Sequence, residues 1–143
     1  IISSLGFIVL SHLNNQITAL VLSIALIGSC LSFLKYNYHP AKIFMGDGGS
    51  NFLGYILALT GIIYSSNTGF SINPLQVSLI IAIPIYDMIL VILKRLISGN
   101  SPFLPDRGHF HHILISRGFS QNNIVKLYMF IGIIFISVGI AIN

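Results

Sequence analysis

The run Ile17–Leu34 carries 18 residues without one charged side chain, and it has companions. Asn51–Tyr64 is uncharged, and its neutral flanks reach to Gly48 and Ser66. Leu75–Leu93 is 19 residues interrupted only by Pro84 and Asp87, Leu127–Ile142 closes the series, and Ile1–Leu10 is a shorter run of the same kind. At about 1.5 Å of rise per residue, some 20 helical residues cross a hydrocarbon core. The second and fourth runs meet that length alone, the third and fifth meet it with their flanks, and the first needs residues before Ile1. Only 7 % of the 143 residues are charged and mean hydropathy is +0.90. A soluble domain has roughly a quarter of its residues charged, so this chain cannot clothe a water-exposed surface. The predicted class is all-α: a polytopic integral membrane protein with about five transmembrane helices, the first partial, in a single transmembrane domain spanning 1–143. The opening Ile1–Leu10 lacks the basic segment of a signal peptide and reads as a helix entered partway, as in a fragment of a larger domain.

The helix ends agree with the runs. Asn73-Pro74 offers an N-cap followed by proline at the first helical position. Gly118-Phe119-Ser120 reads as a stop and a new cap, which predicts a last helix over Gln121–Ile142. Gly54 and Ala58, and Gly132 and Gly139, are spaced to let a neighbouring helix approach closely. Cys30, the one cysteine, suits small-residue packing.

All seven basic residues fall in alternate loops: Lys35 and Lys42 in 35–50, and Lys94, Arg95, Arg107, Arg117 and Lys126 in 94–126. By the positive-inside rule both loops are cytoplasmic and the intervening ones external. The net charge of +4 is thus a topology signal, with no nucleic-acid partner implied.

Acid is scarcer still, with three aspartates and no glutamate. Asp47 and Asp106 lie in the cytoplasmic loops, and Asp87 lies seven residues before Lys94 in the fourth helix. An ionised carboxylate at membrane depth costs several kcal/mol unless paired, hydrated or bound to a cation, which makes Asp87 a functional candidate. A structural hydrogen bond to a neighbouring helix is the plainer alternative. Pro84 frees backbone carbonyls nearby and is placed to kink that helix.

Met45-Gly46-Asp47-Gly48-Gly49-Ser50 sets three glycines and a hydroxyl around one carboxylate. Gly48, Gly49 and Ser50 suit a phosphate, because glycine lets backbone N–H groups approach an anion and a helix start adds its positive end. Asp47 is a hard oxygen ligand of the kind that holds Mg²⁺ with waters and substrate phosphates. Glycine, Asp and Ser also simply make turns. The stretch Ser101–His112 adds Arg107, which can fork onto a phosphate, and His109, His111 and His112, whose imidazoles can donate to phosphate oxygens or ligate a metal. Three histidines in four positions also suit zinc, but no cysteine is near. From chemistry alone the destination is phosphoryl or phosphosugar transfer at the cytoplasmic membrane surface.

Three blocks carry a resemblance. Ala41–Ser50, Pro84-Ile85-Tyr86-Asp87 and Ser101–His112 resemble, in order and spacing, the G-D-x-G-S, P-x-(F/Y)-D and histidine motifs of the polyprenyl-phosphate N-acetylhexosamine-1-phosphate transferases. The resemblance implies an enzyme that transfers a hexosamine-1-phosphate, GlcNAc-1-phosphate in this branch, from a UDP-N-acetylhexosamine to undecaprenyl phosphate. It would initiate a cell-envelope glycan at the bacterial inner membrane. It implies Asp47 as a ligand of Mg²⁺, with Mn²⁺ the alternative, and Asp87 as catalytic or structural. Arg107, His109, His111 and His112 would bind the nucleotide-sugar diphosphate. The family has ten or eleven spans and an upstream Asp-Asp motif that this chain lacks, so an N-terminal half would be its first partner and a homodimer one arrangement. Alternatives are the phospho-MurNAc-pentapeptide transferase, a non-catalytic remnant and, given the uncharged external loops, less aptly a transporter component.

Overall fold

A computed structural model describes residues 1–66, 74–99, 101 and 114–142, and all of its regular structure is helical. Six helices have their limits in those residues: α1 (Ile2–Leu13), α2 (Ile17–Asn37), α3 (Gly46–Ser66), α4 (Pro74–Ile80), α5 (Ala82–Ile97) and α6 (Gln121–Ala141). Among the described residues α2 and α6 are long and apolar enough to cross a membrane, and α4 with α5 makes a third if the bent pair is one span. α3 equals α2 in length, but Gly46–Asn51 dilute its apolar character. The all-α class and a set of membrane-crossing helices are therefore present.

The ends form where their chemistry requires. α4 begins on Pro74, where a missing N–H removes no intrahelical bond. α6 begins after Ser120, whose Oγ accepts a hydrogen bond from the Asn123 backbone N–H at 3.3 Å. Gly118, at φ +88°, takes the left-handed conformation that ends the preceding turn.

The long fourth run is not one rod. It breaks at Ile81, and α5 leaves α4 at 79°. Proline's ring lacks a donor and crowds the carbonyl four residues back, which for Pro84 is that of Ile80, the last residue of α4. The kink expected from Pro84 thus falls one turn ahead of the proline itself.

Packing concentrates at one end of the bundle. Phe7 and Leu10 from α1, Ala19 from α2, Tyr64 from α3 and Ile80 from α4 form the buried core, with Leu57, Ile63, Val77, Ile81 and Ile140 packed against it. These positions flank the short α1–α2 turn and the end of α3, on the side opposite the basic loops. Phe7 and Tyr64 meet edge to face, with ring centroids 6.3 Å apart. Asn14 Nδ2 donates to the Tyr64 hydroxyl at 2.9 Å and to the Leu10 carbonyl at 3.0 Å. Buried Gln76 joins α4 to α6 by donating from Nε2 to the Gly139 carbonyl at 3.0 Å. Gly6 brings α1 close to α4 and α6: a Cβ there would lie 3.0 Å from Ile136 and 3.1 Å from Ile80. Gly132 and Gly139 both meet neighbours as their spacing predicts, whereas Gly54 faces open space.

Candidate functional site

The glycine-rich passage expected as a loop is the first turn of α3. Gly46 opens it at φ +65°, a conformation that a side chain would strain, and Asp47 follows in the first turn. The first backbone N–H groups of any helix have no carbonyl partner inside it, so Asp47, Gly48 and Gly49 contribute donors at the positive end of α3. The Ser50 hydroxyl donates back to the Gly46 and Asp47 carbonyls, at 3.1 and 3.0 Å, which leaves its lone pairs for other donors. Asp47 and Gly48 are exposed, and among the described residues the Asp47 carboxylate makes no hydrogen bond or ion pair. Ahead of it, 38–45 folds back on the end of α2: the Lys42 N–H donates to the Tyr36 carbonyl at 2.9 Å, and Asn37 Nδ2 donates to the Ile43 carbonyl at 2.9 Å.

This arrangement fits Mg²⁺ in one specific mode. The ion is commonly held by one or two carboxylates while substrate phosphates and waters complete its shell. An exposed carboxylate with no competing hydrogen bond, beside free helix-start donors for phosphate oxygens, matches that mode. Among the described residues no group of three His, Cys, Asp or Glu gathers, so these residues build no protein-only metal cage.

Asp87 sits elsewhere, on α5. It is partly buried and lines a pocket of about 180 Å³ between α5 and α6, with Ile83, Tyr86, Tyr128, Ile131 and Phe135. Tyr128 is a polar-capable group that sequence reasoning passed over, because a tyrosine inside an apolar run looks like an ordinary membrane aromatic. Among the described residues α3 and α5 share no contact, so they do not join Asp47 to Asp87 directly. Asp106, Arg107, His109, His111 and His112 lie outside the described residues.

Among known proteins, residues 1–65 match the family model described as glycosyl transferase family 4. The chain is also similar to proteins named as polyprenyl-phosphate N-acetylglucosamine-1-phosphate transferases. It is 44 % identical over 126 residues to a probable undecaprenyl-phosphate N-acetylglucosaminyl 1-phosphate transferase of Bacillus subtilis, covering 85 % of this chain and 34 % of that protein. It is 39 % identical to a decaprenyl-phosphate N-acetylglucosaminephosphotransferase of Mycobacterium leprae, over 80 % of this chain and 32 % of that protein. It is 34 % identical to the undecaprenyl-phosphate alpha-N-acetylglucosaminyl 1-phosphate transferase of Haemophilus influenzae, over 92 % of this chain and 39 % of that protein. The chain thus spans about a third of the length of the curated relatives it matches. No solved structure matches it.

Proposed function

We propose that this chain is the C-terminal part of a multi-pass enzyme of the bacterial cytoplasmic membrane, with 35–50 and 94–126 facing the cytoplasm. The enzyme transfers GlcNAc-1-phosphate from UDP-GlcNAc to undecaprenyl phosphate and so begins a cell-envelope glycan. The observation that carries the reading is the 44 % identity over 126 residues to a protein named for this reaction. The free carboxylate at the start of α3 supports it independently.

In the proposed reaction an oxygen of the lipid phosphate attacks the phosphorus that bears the sugar. A new P–O–P bond forms, the old one to the uridine nucleotide breaks, and UMP departs with the bonding electron pair. Bound Mg²⁺ would supply charge neutralisation at the diphosphate oxygens and at the departing UMP. Asp47 would hold that cation from the first turn of α3. The N–H groups of Gly48 and Gly49 would receive phosphate oxygens, and Ser50 would stabilise the turn through its bonds to Gly46 and Asp47. Arg107, His109, His111 and His112 would fix the nucleotide diphosphate from the cytoplasmic side. Asp87, at the α5–α6 pocket, would act in the same reaction or hold α5 and α6 in place for it.

Asp47→Asn keeps size and hydrogen bonding but removes the charge. In the full-length enzyme it should abolish Mg²⁺-dependent release of UMP and transfer of labelled sugar to lipid, with membrane insertion unchanged. Near-normal turnover in a correctly inserted Asp47→Asn protein would remove Asp47 from the metal site.

A further inference from the structure

We draw no further inference here: the strongest candidate, the pocket of about 180 Å³ between α5 and α6 lined by Ile83, Tyr86, Asp87, Tyr128, Ile131 and Phe135, belongs to the site already described, and nothing in the structure shows what fills it.

Discussion

Pro84→Ala tests whether one ring sets the course of α5. In a helix interior, proline costs about 3 kcal/mol relative to alanine through its missing N–H and its clash with the preceding turn. At the third position of α5 it costs little, because the break at Ile81 has already removed the partner carbonyl from line. Replacing it should therefore favour a continuous helix over the bent pair by about 3 kcal/mol, roughly 150-fold. The bend is 79° and α5 has 16 residues, an arm of about 24 Å, so straightening would swing its far end through about 30 Å. Asp87, six residues beyond Ile81, would move by about 11 Å and leave the pocket it shares with Tyr128. Opposing the change are the contacts of Ile83 with α6 at Gly132 and the burial of Val91. Spin labels at the exposed positions Leu75 and Leu96 report the outcome. Their backbones stand about 26 Å apart across the bend and about 32 Å apart in a continuous helix at helical rise. Pro84→Ala should add a longer-distance population in double electron–electron resonance and reduce sugar-phosphate transfer in the full-length enzyme. A distance distribution superimposable on the parent's, with undiminished transfer, would refute the assignment of the bend to Pro84.

Two further substitutions address the packed end. Tyr64→Phe keeps the edge-to-face contact with Phe7 but leaves the Asn14 amide without its 2.9 Å acceptor, and should cost about 1 kcal/mol in detergent unfolding. Gly6→Val puts branches where a Cβ already meets Ile136 and Ile80 at 3.0–3.1 Å. Overpacking there should cost about 1–3 kcal/mol and loosen α1 from α4 and α6, seen as faster amide exchange in α1; a parent-like exchange pattern would show that the contact yields freely.

Much of the backbone was legible in the residues, and the reasons are local. Pro74, Gly118 and Ser120 act through their own dihedrals and hydrogen bonds, so the starts of α4 and α6 could be read directly. The break in the fourth run was legible as a kink, but its place at Ile81 follows from a clash four residues back. Glycine spacing was a weaker guide, since glycine permits close approach without naming a partner. Gly132 and Gly139 meet neighbours, while Gly54 meets nothing within 4 Å. The position of the core could not be read at all, because apolar residues line every face of these helices and only tertiary contacts choose among them. At the candidate site Asp47 stood out as a candidate because acid is so rare here. Its setting in a helix rather than a loop was missed, since Gly-Asp-Gly-Gly has poor helix propensity and is helical only as the first turn of a longer apolar helix.

The one-ended core has a mechanical consequence. α3 is clamped near Tyr64 and carries Asp47 seventeen residues away, so among the described residues it is a lever about 25 Å long, gripped at its far end. A tilt of about 5° at the clamp would carry the carboxylate roughly 2 Å, as far as a Mg²⁺–oxygen bond is long. Tightness at Phe7, Tyr64 and Asn14 thus translates into aim at the opposite end of α3, and loosening a contact at the clamp would be felt as misalignment of the carboxylate.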